Sequence, residues 1–117
     1  MNESSGKSIG PHQGQSLLVA GESVEKARAA MIMVHGRGAS AEDILGLSVD
    51  LKQPGFVYLA PQAAGYSWYP NSFLAPLASN EPGLSSGLAM IASILEQLAG
   101  ADIPAERTIL LGFSQGA

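Results

Sequence analysis

Three apolar runs without polar alternation occur along the chain, at residues 31–34, 56–60 and 108–111. Runs of this kind are typical of strands that are covered on both faces of a parallel sheet. A shorter apolar run at residues 17–20 is compatible with an edge strand. The pattern therefore predicts three buried strands and a fourth strand at the margin of the sheet.

A long helix is predicted before the last of these runs. Apolar residues recur at helical spacing over residues 83–99, and Gly100 ends the pattern. Pro82 occupies the place of a first helical residue, a position that proline favours. The apolar face of this helix consists of Leu84, Leu88, Ile91, Leu95 and Leu98.

A shorter helix is predicted after the first buried run, where Ser40 is a favoured N-cap residue. Acidic residues in its first turn suit the helix dipole. Its apolar face consists of Ala41, Ile44, Leu45 and Leu51. Strands and helices then alternate as β-α-β-α-β, an order that indicates an α/β fold with a parallel sheet and crossover helices.

Length and composition limit the number of domains and the class of partner. A chain of 117 residues provides one domain at most. Residues 1–15 are polar and rich in Gly and Ser, which predicts a flexible leader before a domain at residues 16–117. The net charge is −4 and no basic run occurs, so nucleic-acid binding is not expected.

The chain has no cysteine, which excludes a disulfide framework, a thiolate metal site and a cysteine nucleophile. Residues 1–15 lack the apolar core of a signal peptide. The longest apolar run, at residues 29–34, is far too short to span a bilayer. Stable membrane insertion is therefore not expected, and a cytoplasmic location is the default prediction.

The pattern G-x-S-x-G occurs three times, at residues 6–10, 83–87 and 112–116. In α/β-hydrolases this pattern forms the nucleophile elbow, a sharp turn between a strand and a helix that exposes the serine hydroxyl. Only the third match directly follows a predicted buried strand. The sequence context therefore selects Ser114 as the catalytic nucleophile, with Gly112 and Gly116 leaving room for the neighbouring backbone.

The loop that follows the first buried strand, HGRGAS, supports the same hypothesis. Acyl transfer develops negative charge on the carbonyl oxygen, which backbone N–H groups must already face. One of these donors follows the nucleophile and the other comes from this loop. Gly36 and Gly38 allow its backbone to approach a substrate closely.

A dinucleotide-binding site is an alternative interpretation of the same loop. Residues 36–41 fit the fingerprint G-x-G-x-x-A, after a strand and before a helix. Such a site requires an acidic residue at the end of the following strand to hold a ribose. That strand is followed by Gln62, without an acid, so the pattern disfavours this interpretation.

With HGRGAS, SWYPNSF and GFSQGA each following a predicted strand, the chain resembles the phospholipase/carboxylesterase family of α/β-hydrolases, which includes the acyl-protein thioesterases. The resemblance implies the N-terminal part of an α/β-hydrolase fold. It also implies a Ser-Asp-His esterase that acts without a cofactor on carboxylic esters, lysophospholipids or acyl thioesters. Members of the family often form dimers, so a homodimer is left open.

The resemblance also assigns roles to individual positions. Ser114 is the nucleophile, and the backbone N–H groups of Arg37 and Gln115 form the oxyanion hole. His35 and Gly36 shape the loop. Many members have a hydrophobic residue at the position of Arg37, whose side chain could change access or favour an anionic substrate. The substrate pocket is expected near Trp68, Tyr69 and Phe73.

The residues after Ser114 include neither an acid nor a histidine, although in this fold both follow the nucleophile along the chain. His35 is assigned to the loop, and His12 is expected to be a solvated residue of the leader. The triad Asp and His are therefore expected beyond Ala117, and the 117-residue piece alone is expected to be nearly inactive. The alternative is a non-catalytic module or degenerate hydrolase that binds an acyl ligand or a partner protein.

Overall fold

The computed structural model describes residues 10–117, and its four strands form one sheet in the order β1-β3-β2-β4. The parallel pairs are β2–β3 and β2–β4, whereas β1 runs antiparallel to β3. The predicted strands are confirmed, but the sheet is mixed. The strands are β1 (Leu17–Gly21), β2 (Ala29–Val34), β3 (Phe56–Pro61) and β4 (Thr108–Gly112).

Strand β1 lies at one edge of the sheet, and its residues alternate between more and less exposed positions. Leu18 and Ala20 pack on the sheet core, whereas Val19 points to the exposed side. An antiparallel strand tolerates one solvated face, so the side of β1 that carries Val19 needs no covering helix.

Two α-helices lie in the described residues, α1 (Ala41–Leu45) and α2 (Gly83–Gly100). The Ser40 hydroxyl accepts a hydrogen bond from the Asp43 amide, and the Asp43 carboxylate accepts one from the Ser40 amide, which completes a capping box. Helix α1 is shorter than predicted because it ends at Gly46, a residue type that weakens helices. Leu51 therefore lies outside the helix and is 40% exposed. No helix within residues 10–117 is long and apolar enough to cross a membrane.

The sheet is covered by apolar residues on both faces. One cluster includes Ile32 and Leu59 together with Ile94 and Leu98 of α2. The other includes Met33 and Tyr58 of the sheet together with Ala41 and Ile44 of α1. These two layers form the α/β arrangement that the order of the elements predicts.

Two predictions about burial are wrong in detail. Helix α2 buries Ser86 and Gly87 along with Ile94 and Leu98, so its packed face is rotated away from Leu88. Strand β4 lies at the other edge of the sheet, and Leu110 is 58% exposed because no described element packs over it.

The first turn of α2 is held by a side chain that precedes the helix. One carboxylate oxygen of Glu81 accepts a hydrogen bond from the Ser85 amide at 2.9 Å, and the other accepts one from the Ser85 hydroxyl at 2.6 Å. These bonds favour the charged carboxylate and hold the pKa of Glu81 below its ordinary value.

We expect Glu81→Gln to remove a pH-dependent contribution to stability. Because the pKa of Glu81 is lowered in the folded state, its contribution is present above the ordinary carboxyl pKa and is lost as the pH falls through the lowered pKa. Urea denaturation should show the variant less stable than the wild type at neutral pH, with the difference shrinking in acid. Glu96→Gln, at an exposed position of α2, is the control. A difference that stays constant with pH would contradict the expectation.

Candidate active site

Strand β4 ends in a sharp turn that leads into a single 3₁₀ turn, Ser114–Gly116. Ser114 has a φ of +55°, a left-handed conformation that is uncommon for residues with a side chain. Its side chain is exposed, and within residues 10–117 its hydroxyl makes no hydrogen bond. A strained, exposed serine between a strand and a helical turn has the local geometry that a nucleophile elbow requires.

Glycine is required on both sides of Ser114 because the turn folds tightly. A Cβ at Gly112 would lie 2.6 Å from the carbonyl oxygen of Gly116. A Cβ at Gly116 would lie 2.6 Å from the carbonyl oxygen of His35 and would also overlap that of Val34. The turn is therefore packed directly against the end of β2.

The loop after β2 lies against Ser114. A Cβ at Gly36 would be 3.3 Å from the Cβ of Ser114 and 3.2 Å from the carbonyl oxygen of Phe113. Gly38 has a φ of +79°, and its amide donates to the carbonyl of Tyr66 at 2.8 Å. The structure thus brings together the two segments that the sequence predicts to cooperate.

Four backbone amides at this junction make no hydrogen bond to any group within residues 10–117, those of Gly36, Arg37, Ser114 and Gln115. Two of the four belong to the residues that the sequence predicts as oxyanion donors, Arg37 in the loop after β2 and Gln115 directly after Ser114. The residues that precede these two donors along the chain, Gly36 and Ser114, lie against each other. Both amides are therefore free to donate to an atom outside the described structure.

His35 is buried and holds the shape of the loop. Its Nδ1 lies 2.7 Å from the carbonyl oxygen of Gly36, and its Nε2 accepts a hydrogen bond from the Ala63 amide at 3.0 Å. Because an amide can only donate, these partners assign the proton to Nδ1. Both ring nitrogens are thus engaged by the backbone.

His12 is buried, and the expectation of a solvated residue is wrong. Its Nδ1 accepts a hydrogen bond from the Ala64 amide at 3.0 Å, and its Nε2 donates to the carbonyl of Trp68 at 2.7 Å. Its backbone amide also donates to the Ser86 hydroxyl at 3.0 Å. The described part of the predicted leader therefore packs against α2 and the loop after β3.

Trp68 joins this loop to the rest of the site. The indole is buried, and its Nε1 donates to the carbonyl of His35 at 2.8 Å. The ring lies between the imidazoles, with centroid distances of 4.8 Å to His12 and 5.1 Å to His35. Most of the side chain belongs to the hydrophobic core rather than to an open pocket.

The side chains of Gln115 and Arg37 make contacts that the sequence did not suggest. The Oε1 of Gln115 accepts a hydrogen bond from the Trp68 amide at 2.8 Å, and its Nε2 donates to the carbonyl of Tyr69 at 2.7 Å. The guanidinium of Arg37 donates to the carbonyls of Pro70 and Asn71, each at 3.0 Å. These partners are at least 33 residues apart along the chain, so no local pattern reveals them.

A mainly apolar cavity of about 210 Å³ lies between the turn after β4 and α2. All three residues predicted for the substrate pocket, Trp68, Tyr69 and Phe73, line it. Ser114 does not line it, but its neighbours Gln115 and Gly116 do. Other lining residues are Val34, Leu77, Leu84, Leu88 and Ile91.

The other two G-x-S-x-G matches do not share this geometry. The match at residues 83–87 forms the first turns of α2, where Ser85 bonds to Glu81 and Ser86 bonds to His12 and Gln13. The serine of the match at residues 6–10 lies outside the described residues. Within residues 10–117, His, Asp and Glu side chains do not form a group of three or more that could hold a metal ion.

The sequence and fold of the chain are similar to those of known esterases. Residues 17–117 match the sequence profile of the family described as Phospholipase/Carboxylesterase. A phospholipase/carboxylesterase from Dyadobacter fermentans has a crystal structure that is 39% identical, with a TM-score of 0.86 over 93% of this chain and 52% of that chain. Esterase PE8 is 23% identical, with a TM-score of 0.64 over 87% of this chain and 52% of that one, which shows a similar fold. The chain spans about half the length of both proteins.

We expect Gly116→Ala to destabilise the protein because the new Cβ would overlap backbone oxygens that cannot move independently. The expected cost is about 1–3 kcal/mol, as for other overpacked sites. Gly46→Ala is the control, since Gly46 has a helical φ of −57° and open space where a Cβ would be. Chemical denaturation should show the control unchanged or more stable by up to about 1 kcal/mol. Equal stability of the two variants would mean that the turn after β4 is not packed against β2.

Proposed function

Because the chain belongs to the phospholipase/carboxylesterase family of α/β-hydrolases, we propose that it carries the nucleophile and the oxyanion hole of a serine carboxylic-ester hydrolase. The proposal rests on the placement of Ser114. Its backbone is left-handed, its hydroxyl is exposed and unbonded within residues 10–117, and the loop after β2 lies against it. Strain of this kind is concentrated at functional sites.

In the proposed reaction, Ser114 Oγ attacks the carbonyl carbon of an ester or acyl thioester while a general base takes its proton. The carbonyl oxygen becomes an oxyanion, which accepts hydrogen bonds from the amides of Arg37 and Gln115. The alcohol or thiol leaves with the proton held by the base, and an acyl-enzyme remains. Water then attacks the acyl group, returns a proton to Ser114 through the base, and releases the carboxylic acid.

We propose that the base and its acidic partner come from a part of the protein outside these 117 residues. Both nitrogens of His35 are bonded to the backbone of its own loop and of Ala63. Both nitrogens of His12 are bonded to Ala64 and Trp68. Neither imidazole can accept the proton of Ser114 without giving up these bonds, so the 117-residue piece alone is expected to be nearly inactive.

The cavity beside the turn after β4 suits the acyl part of the substrate. Its walls are mainly apolar, and its volume of about 210 Å³ exceeds the roughly 150 Å³ of an apolar cavity that holds benzene. An acyl or aryl group of moderate size therefore fits it. The absence of a cofactor, a cytoplasmic location and a homodimer stay predictions of the composition and the resemblance.

We expect Ser114→Ala to abolish ester hydrolysis by the whole protein, a loss on the order of 10⁴-fold or more. A fluorophosphonate probe should label the wild type on Ser114, as mapped by peptide mass spectrometry. Ser85→Ala is the matched control because Ser85 lies in another G-x-S-x-G match but bonds to Glu81. It should keep both activity and labelling.

Failure of the wild-type protein to hydrolyse esters or react with the probe would overturn the enzymatic proposal. Saturable binding of a fatty acid by such an inactive protein would then favour a non-catalytic module that binds an acyl ligand. Labelling of Ser85 instead of Ser114 would contradict the assignment of the nucleophile.

We expect Phe73→Ala to raise the KM for long-chain esters by about threefold to tenfold, the effect of losing about one or two buried methylene equivalents. Phe73 lines the cavity, yet 78% of its surface is exposed, so stability should change little. Leu74→Ala is the control, since Leu74 is 82% exposed and does not line the cavity. A steady-state comparison of short-chain and long-chain esters checks this. Equal changes in KM for both variants would place the acyl group elsewhere.

A further inference from the structure

We propose that residues 67–71 act as a clamp that fixes the two oxyanion donors relative to each other, with the side chains of Arg37 and Gln115 as the positioning groups. The inference rests on the proposed function, in which the backbone amides of these two residues hold the oxyanion. What it adds is a role for their side chains. Both side chains bond to the same short segment, which we call the 67–71 clamp.

Gln115 binds the clamp through both polar atoms of its side-chain amide. Its side-chain amide accepts from the Trp68 N–H at 2.8 Å and donates to the Tyr69 carbonyl at 2.7 Å. Because one partner can only donate and the other only accept, the amide has a single orientation that satisfies both. The residue after Ser114 is thereby tied to the loop at two points.

Arg37 binds the same clamp from the loop after β2. Its guanidinium donates to the carbonyls of Pro70 and Asn71 at 3.0 Å and to the Ser67 hydroxyl at 3.3 Å. A planar group with several donors in fixed directions suits such a set of acceptors. The guanidinium is therefore bound by neutral acceptors of the protein, and its preference for an anionic substrate stays a prediction.

Ser67 bonds to both positioning side chains. Its hydroxyl accepts from Arg37 at 3.3 Å and from Gln115 at 3.4 Å, and it donates to the Tyr69 carbonyl at 2.8 Å. The clamp is anchored from behind by Trp68, which is only 5% exposed. This burial fixes the middle of the clamp, to which Gln115 bonds, whereas Pro70 and Asn71, which accept from Arg37, are exposed.

The consequence concerns catalysis more than substrate binding. An oxyanion donor acts only if it already faces the oxygen before the charge develops. A displacement of about 1 Å at a reacting centre can cost on the order of 100-fold in rate. Releasing either side chain from the clamp should therefore lower kcat and leave the KM nearly unchanged.

The experiment compares Arg37→Met and Gln115→Met in the whole protein with the matched control Arg107→Met. Arg107 also donates to two backbone carbonyls, those of Arg28 and Asp102, but it precedes β4 and lies at the opposite end of that strand from Ser114. The readouts are kcat, KM and the unfolding temperature, together with amide hydrogen exchange at residues 67–71. Arg37→Lys, which keeps the positive charge and part of the bonding, tests for partial rescue.

We expect both clamp variants to lose about 10- to 100-fold in kcat with the KM within about threefold of the wild type. Exchange at residues 67–71 should accelerate, and Arg37→Lys should recover part of kcat. Arg107→Met should lower the unfolding temperature and leave kcat unchanged. If the clamp variants change kcat no more than Arg107→Met does, the clamp is overturned although the esterase stands. If the wild type itself neither hydrolyses esters nor labels on Ser114, the proposed function fails, and the clamp fails with it.

Discussion

Trp68, whose indole is buried, connects four segments that are distant along the chain. Its Nε1 bonds to His35 after β2, its backbone amide to Gln115 after β4, and its carbonyl to His12 before β1. The side chain also belongs to the same core cluster as Ile94 and Leu98 of α2. Burial of an indole contributes on the order of 4 kcal/mol. The core therefore also fixes the loops of the candidate site, because one residue belongs to both.

The packing around Trp68 offsets the free-energy cost of strained backbone conformations at the candidate site. Three non-glycine residues within residues 10–117 have a positive φ. Two of them lie at the candidate site, Ser114 with a φ of +55° and Tyr66 with a φ of +65°. Conformations of this kind cost about 1–3 kcal/mol each and persist only where the surroundings enforce them. At Ser114 the close contact of Gly116 with the end of β2 enforces the conformation. At Tyr66 the bond from the Gly38 amide to its carbonyl has the same effect.

Much of the fold could be predicted from the sequence, and the predicted α/β-hydrolase fold and family are confirmed. Strands β2 to β4 and helix α2 could be predicted because apolar runs and helical spacing are patterns of residues close together in the sequence. The direction of β1 was not, because a short apolar run indicates a strand but not its pairing partner. Gly46 ended α1 early, an effect that the apolar face alone did not show. The bonds of Arg37 and Gln115 link residues far apart in sequence and leave no periodic signal.

His35 and His12 both position backbone segments and are not available as a base for Ser114. Successive amides after β3, those of Ala63 and Ala64, donate to His35 and His12 respectively. The opposite nitrogen of each ring bonds to a carbonyl, so the partners assign Nδ1–H to His35 and Nε2–H to His12. An imidazole that accepts a backbone N–H must break that bond to accept a proton from serine. These rings therefore hold the backbone in place, and in the proposed hydrolase the proton acceptor must approach Ser114 from its exposed side.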